Sequence, residues 1–432
     1  MPDASGGQPR ASVGPPSVRR STVSVSSEWR AAKRVMRGLP VLSRGWEAWR
    51  RSQFLREYRR RRDTYDAVVQ AQGLVYHPKR SADAARERAA KRGHKIPAVR
   101  SSELHTMAFV PRLGWHSILI SELSKLGQLS LFDYTELGIS WMDLYLGDVA
   151  ARRSMNEAFL KWAVDVHRQR PVDWVYIYAS GTEMSPGTIQ SLQSAISAPV
   201  VGMCLDDKNS WAGPFRDGYR SLQVDLAPVV DLAWTSSRVA CDWYLAEGGR
   251  PVYLPEGCSP DLFEPLPVQK DIDVSFVGQA YGFRPRFLKA LGRANIDVQG
   301  FGRGWPSGPI SDTDYVRILN RSRINLGLGG IGYAPEVTNV KARDFEIPCS
   351  GGGLYVTTYN ADLALHFDTG REIACYRDID EAIEVIRYYL RHPEEATAMS
   401  TRARARCLRE HTWTCRFGEV LMLLGIVQPP SQ

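Results

Sequence analysis

From residue 104 onward the chain alternates short apolar runs with stretches of helical spacing. HTMAFV (105–110), QLSLFDY (128–134), DWVYIY (173–178), PVVGMC (199–204), DLAWTS (231–236) and PVYL (251–254) have the length and composition of strands. A second series follows: DVSFVG (273–278), IDVQGFG (296–302), RINLGLG (323–329), GLYVT (353–357) and EIACY (372–376). Between them, GWHSILISELSKLG, RPRFLKALGRA, TDYVRILNRS and EAIEVIRYYL space their apolar residues as helices do, the first closing on a glycine suited to a C-cap. Strands alternating with helices predict parallel sheets. Two series of five or six strands therefore predict an α/β protein of two doubly wound, Rossmann-like domains. The join LPEGCSPDLFEPLPVQKDID (254–273) holds four prolines, as a linker does. Expected boundaries are 1–100 for an N-terminal extension, 101–255 for the first lobe and 256–432 for the second. Ligands of such sheets bind beyond the carboxyl ends of the strands, so the natural site is the cleft where the lobes face.

Composition supports that size. The 432 residues are 44% hydrophobic, enough for a core in each lobe. No run of 18 apolar residues is present, and MPDASGGQPRASVGPPSVRRST lacks the apolar stretch of a secretory signal. The seven cysteines, Cys204, Cys241, Cys258, Cys349, Cys375, Cys407 and Cys415, form no C-x-x-C pair and fit neither a zinc site nor a disulfide framework. A cytoplasmic protein with buried thiols is expected.

Charge is unevenly distributed. Residues 1–100 hold 23 Lys and Arg against 8 Asp and Glu, a balance of +15, whereas the whole chain is +8, which leaves −7 for the rest. Residues 1–27, rich in Ser, Pro, Gly and Arg, are expected to be disordered. Glu28 to Gln70 turns helical, with Trp46, Trp49, Phe54 and Tyr58 as an interrupted apolar stripe beside the cluster Arg59 to Arg62. Three readings stand: a solvated helix packed on the body, a peripheral helix on an anionic membrane face, and, least favoured, nucleic-acid contact.

The second lobe holds the densest candidate chemistry. VSFVGQAYGFRPRFLKAL is a strand ending in Gly278, a loop, then a helix with Arg284 and Arg286 near its start. Free amides and a partial positive charge at a helix N-terminus favour phosphate, and arginines add multidentate donors. Ordinary first-turn surface arginines are the plain alternative. In NVKARDFEIPCSGGGLYVT, Lys341, Arg343 and Glu346 precede Gly351, Gly352 and Gly353. Bare glycine backbone lets a ligand approach the amides, and a carboxylate offers paired acceptors to sugar hydroxyls. A strand-entry turn with a surface ion pair is the alternative there.

In these blocks the chain resembles the CgeB-like spore-maturation glycosyltransferases, a branch of the two-lobed Rossmann-type (GT-B) enzymes of bacterial type. DIDVSFVGQ, GFRPRFLKAL, VQGFGRGW, RSRINLGLG, KARDFEIPCSGGGLYVT and HTWTCRF carry the resemblance in order, with VVGMCLDDK and VYLPEGCSPDLF nearer the linker. It covers about 199 to 417, about half the chain, and leaves out residues 1–100. It implies sugar transfer from a nucleotide sugar, with a last helix, beginning around His411, Trp413 and Arg416, that returns to the first lobe. It also implies that Glu346 binds the ribose hydroxyls while Arg286, Arg343 and Lys341 meet the phosphates. Many retaining relatives carry a second glutamate eight residues earlier, where this chain has Thr338. Both anomeric outcomes, retention and inversion, stay compatible with that departure.

Asp271-Ile-Asp273 lies at the start of a strand, while Asp312-Thr-Asp314 and Asp378-Ile-Asp380 precede helical runs as N-caps do. All three read as structural, so transfer without a metal or other cofactor is expected. Acceptor activation falls to the first lobe. His116 begins a helix after the first strand, and Asp206 and Asp207 follow the strand 199–204, with Gly181, Thr182 and Glu183 on the same edge. Imidazole or carboxylate can take a hydroxyl proton near neutrality; a cap, or a salt partner for Lys208, is the alternative use. The acceptor can be a glycan, a lipid-linked intermediate, a protein or a metabolite. A non-catalytic nucleotide- or glycan-binding scaffold is the competing function.

Overall fold

The computed structural model describes residues 40–95, 103–112, 114 and 116–428, without the side chains of 40–44. The segment 1–27 and the beginning of the helical stretch 28–70 lie outside the described residues. The chain divides into two compact units, Met1–Arg50 and Arg51–Gln432. Of the first unit, the described part is the opening of helix α1 (Pro40–Gln72), where the Arg50 guanidinium lies 5.2 Å from the Trp46 ring centroid.

In the second unit, α2 (Pro78–Lys91) precedes a lobe built in the order β1 (Leu104–Phe109), α3 (His116–Ser124), β2 (Gly127–Phe132), α4 (Trp141–Leu146), α5 (Val149–Gln169), β3 (Trp174–Ile177), α6 (Pro186–Ile196) and β4 (Val200–Cys204). A small antiparallel hairpin follows, β5 (Ala212–Arg216) with β6 (Tyr219–Leu222), then β7 (Leu232–Thr235), α7 (Ala240–Ala246) and β8 (Pro251–Tyr253). Six of these strands make one parallel sheet in the order β2-β1-β3-β4-β7-β8. Every residue of β1, β3 and β7 is buried. Helices cover both faces, which is why these runs read as continuously apolar instead of alternating.

The other lobe runs β9 (Ile272–Val277), α8 (Arg284–Arg293), β10 (Val298–Phe301), α9 (Asp312–Arg321), β11 (Ser322–Leu326), the hairpin β12 (Gly330–Ile331) and β13 (Ala334–Thr338), then α10 (Arg343–Ser350), β14 (Leu354–Thr358), β15 (Ala374–Tyr376), α11 (Ile379–Arg391), α12 (Pro393–Glu410) and α13 (Trp413–Leu423). Its five-stranded sheet is also parallel, in the order β10-β9-β11-β14-β15. The strands of the two sheets are the runs expected from the sequence, with ends moved by a few residues. The two hairpins were not expected, because neither AGPFR nor the glycine-broken GGIGYAPEVT presents a strand-length apolar run.

Both sheets have the same winding. Each starts at an inner strand, β1 or β9, adds one neighbour on one side and then proceeds the other way, so the chain direction reverses between β1 and β3 and between β9 and β11. A crevice opens at the carboxyl ends of the strands flanking such a reversal. This is the two-lobed Rossmann-type architecture. α13 packs its Trp413, Phe417, Val420 and Leu421 among Leu104, Trp174, Tyr176 and Trp234 of the first sheet.

From Arg51 onward α1 lies on both lobes. Tyr65 donates to Glu247 at 2.6 Å and accepts from the Trp211 indole at 2.8 Å. Phe54, Leu55 and Tyr58 pack on Ile331, Ala334 and Val337 of the β12–β13 region, and Arg51 pairs with Glu336. Two members of the apolar stripe, Phe54 and Tyr58, are thus turned to protein, while Arg56, Arg59 and Arg60 are exposed.

Candidate functional site

The carboxyl edge of the second sheet gathers cations. β9 ends beside Gly278, and α8 opens with Arg284, which is buried. Its Nη1 donates to the Gln279 carbonyl at 3.1 Å, and its plane lies 4.3 Å from the Tyr281 centroid and 5.5 Å from that of Phe276. Arg343, the first residue of α10, lies 5.8 Å from the same Phe276 ring. A Cβ on Gly278 would stand 3.1 Å from the Arg343 Nη1, so the missing side chain is what admits the guanidinium to the strand end. Nε of Arg284 and Nη1 of Arg343 are buried without a hydrogen-bond partner. Among the described residues neither arginine has a carboxylate within ion-pair distance. Burial first, and the charge of Arg343 second, pull Arg284 down to about 10. An unpaired buried cation such as Arg284 costs on the order of several kcal/mol. An anion entering here would relieve that cost.

Glu346, one turn into α10, is buried and accepts from the Tyr315 hydroxyl at 3.1 Å. Burial pushes its carboxyl up to about 7. Lys341, just before the helix, reaches across to the first lobe, where its ammonium pairs with Asp206 and approaches the Leu205 carbonyl at 3.5 Å. Burial works to lower its pKa, but Asp206 and then Glu256 outweigh it and hold the ammonium above its usual range. Lys208 donates to the Thr338 carbonyl at 2.8 Å, and Asn339 to that of Leu205 at 3.1 Å. The loop before α10 is therefore docked on the loop after β4, carboxyl edge to carboxyl edge. Thr338 spends its carbonyl on this contact and lines a separate hollow with Tyr58, Arg62 and Asp362.

Several expected site residues fall elsewhere. Gly351 is the left-handed C-cap of α10, and the triplet leads into β14 at the amino end of the sheet, the end away from Gly278. A Cβ on Gly352 would stand 2.5 Å from the Leu319 carbonyl, and one on Gly353 would strike the Ser322 carbonyl. Close packing of helix to strand demands these glycines, and they face Lys270 and Arg323, not the arginine pair. Arg286 follows Arg284 by about 200° round the helix, and it is exposed. Asp207 is fully buried, accepting from Thr235 at 2.5 Å and Tyr244 at 2.9 Å, and burial raises it to about 6. It ties β4 to β7 and α7, and no substrate hydroxyl reaches it.

Asp206, the neighbour of Asp207, faces a cavity of about 360 Å³ at the carboxyl ends of β3 and β4. Glu183 and Thr182 also line it. His116 stands at the start of α3, partly exposed and outside these walls, with burial first and Arg112 second lowering its pKa. The three D-x-D sequences are in local use. Asp271 pairs with Arg321 and Asp273 with Arg323, Asp378 caps α11, and at α9 the cap is Ser311, with Asp314 receiving its hydroxyl. No group of three His, Cys, Asp or Glu side chains suited to a metal occurs among the described residues. Among them, too, no helix is long and apolar enough to cross a membrane.

Glu256 is the residue that sequence reasoning missed. It follows β8 inside the proline-rich join, is fully buried, and neither carboxylate oxygen has a hydrogen-bond partner. Burial, opposed by the charge of Lys341, pushes it up to about 8. Near neutrality it therefore keeps its proton. Surrounded by prolines and without periodic neighbours, it gave no signal in the sequence.

The class of the molecule follows from this architecture: a two-lobed α/β protein with unpaired arginine donors at the carboxyl edge of its second sheet. Residues 284–422, about a third of the chain, match the family described as glycosyl transferase-like. No curated protein matches by sequence. Among solved structures, sucrose-phosphate synthase from Thermosynechococcus elongatus is similar over 75% of this chain and 99% of its own, at 10% identity and a TM-score of 0.49. HepE of Anabaena in complex with UDP and glucose is similar over 75% and 98%, at 10% identity and 0.48. The α,α-trehalose 6-phosphate synthase of Burkholderia multivorans is similar over 75% and 99%, at 12% identity and 0.47. These scores lie below 0.5, too low to carry an argument about chemistry.

Proposed function

We propose that the protein is a glycosyltransferase of the CgeB-like kind, moving a sugar from a nucleoside-diphosphate sugar to a hydroxyl acceptor without a metal. The observation that carries this reading is the pair beside Gly278, buried Arg284 and half-buried Arg343, each with one buried donor atom unspent. A diphosphate supplies the charge and acceptors those atoms lack. Glu346, enclosed one turn further on, would take the ribose hydroxyls.

In the transfer, the acceptor oxygen bonds to the anomeric carbon while the bond from that carbon to the diphosphate breaks, and the nucleoside diphosphate leaves with the electron pair. Charge gathering on the leaving oxygens would be met by Arg284, Arg343 and Lys341, the electrostatic effect that dominates many such barriers. Asp206 would take the hydroxyl proton once Lys341 turns from it to the incoming phosphate. Contact with an anionic surface would fall to the exposed Arg56, Arg59 and Arg60, because Phe54 and Tyr58 of the aromatic stripe are packed on protein.

Incubating the full-length protein with a panel of nucleotide sugars tests this. Release of a nucleoside diphosphate that Arg343→Ala abolishes supports transfer. The scaffold reading, favoured by Thr338 in place of glutamate, predicts nucleotide binding with no release.

A further inference from the structure

We infer that the acceptor carries its hydroxyl on an apolar, ring-bearing body, and that the first-lobe cavity holds that body. The inference rests on the transfer reading for the purpose of the cavity, but on the cavity's own walls for the chemistry of its occupant.

Several polar groups of those walls are already engaged with neighbouring protein groups. Glu183 accepts from the Ser180 amide at 2.9 Å and its hydroxyl at 2.7 Å. Arg152 pairs with Asp217 at 3.1 Å and covers the Tyr219 ring at 4.8 Å. The Gln223 amide donates to the Ala179 carbonyl at 3.1 Å, and the Ser221 hydroxyl to that of Pro214 at 3.2 Å. What these pairings leave to a ligand is mostly carbon surface, from Pro111, Trp141, Leu144, Tyr145, Met203 and Leu222, with the Tyr178, Thr182 and Ser210 hydroxyls and the Asp206 carboxylate as its few polar points.

An oligosaccharide is a poor occupant of such walls. Its many hydroxyls would outnumber the few polar points on offer, and a hydroxyl that loses water without gaining a partner is costly. A ring system loses nothing by leaving water, and flat rings stack on aromatic walls. Trp141 and Tyr145 offer such a wall, stacked on each other at 4.7 Å. The volume, about 360 Å³, is that of a small-molecule site.

The rim continues the pattern. Met142 is 51% exposed, Tyr145 and Leu146 60%, and Phe215 on β5 69%. The two segments that carry them are joined by Arg216, which donates to the Leu146 carbonyl at 3.3 Å. An apolar body entering over this rim comes to rest with its hydroxyl toward Asp206, the wall residue tied to Lys341 of the donor lobe.

The test is the melting temperature of the full-length protein with a saturating nucleoside diphosphate. Two ring-bearing alcohols, quercetin and estradiol, are compared with two oligosaccharides, maltotriose and cellotriose. A further rise of about 2 °C or more with at least one ring-bearing alcohol is expected, since a ligand stabilises the state it binds. Tyr145→Ala, an exposed position that leaves the core intact, should weaken that alcohol about tenfold and leave the nucleotide shift unchanged. Trp141→Ala should do the same from the other ring. Stabilisation by oligosaccharides alone, or by no member of the panel, overturns the inference. A nucleoside diphosphate that gives no shift at all counts against the transfer reading instead, and the alcohols then still report on the cavity.

Discussion

The two lobes share one winding and present the same place, the carboxyl edge at a strand reversal, yet they furnish it with opposite chemistry. On the second lobe the edge holds two cations that each keep a buried donor atom unspent, Arg284 and Arg343. On the first, Arg152, Glu183, Gln223 and Ser221 are taken up by Asp217, Ser180 and the carbonyls of Ala179 and Pro214, and the open surface is mostly carbon. The fold supplies a location; which ligand belongs there is decided by which polar groups are left without a partner.

Removing the cations should break the contrast most sharply. Arg343→Ala is expected to lower kcat/KM by about 10²- to 10³-fold, the cost of losing one electrostatic donor to a developing anion. Thermal stability of the free protein should hold or rise, because two like charges no longer crowd each other. Arg343→Lys should recover only part of the rate, since a point charge lacks the planar fork. Steady-state kinetics and melting curves on the same samples check all three statements.

The buried acids sharpen the comparison through pH. Glu256 is raised from 4.5 to about 8. Below about pH 4.5 folded and unfolded chains both hold that proton and nothing is lost. Above it the unfolded chain ionises while the buried carboxyl does not, so stability falls with rising pH until about 8. Glu346 acts in the same direction up to about 7. Glu256→Gln is therefore expected to recover on the order of several kcal/mol at pH 8 and little at pH 4.5. Equal effects at both pH values would show that Glu256 is not held protonated.

Smaller effects separate the site from its supports. Gly352→Ala should cost about 1–3 kcal/mol of stability through its clash with the Leu319 carbonyl, with the donor KM unchanged; a raised KM would return the triplet to the site. Arg286→Ala, at an exposed position, should change turnover by less than about twofold, measured as kcat on the best donor. A larger loss would move the phosphate toward it.

Much of this was legible in the sequence because parallel sheets write themselves as apolar runs between helical stretches. The order of runs such as DVSFVG and RINLGLG was enough to place Gly278 and Arg343 near a crevice. The failures have local causes. Gly351 to Gly353 precede a strand, so they lie at the amino end of the sheet, the same reasoning that had already set aside Asp271 and Asp273. Asp206 and Asp207 are adjacent and chemically identical, and only the packing of Thr235 and Tyr244 shows which one is sealed in the core. Arg284 and Arg286 differ by a helix rotation that a string of letters does not display. Glu256 has no pattern around it at all; its isolation is visible only once both lobes are folded around the join.

Calorimetric titration of the full-length protein with UDP, GDP, ADP and CDP, each beside its parent nucleoside, reaches the central claim most directly. If the unspent guanidinium donors are the diphosphate site, at least one diphosphate binds about 100-fold more tightly than its nucleoside, and the double substitution Arg284→Ala with Arg343→Ala erases that difference. Equal affinity for nucleoside and diphosphate, or a difference that survives in the double variant, would contradict it.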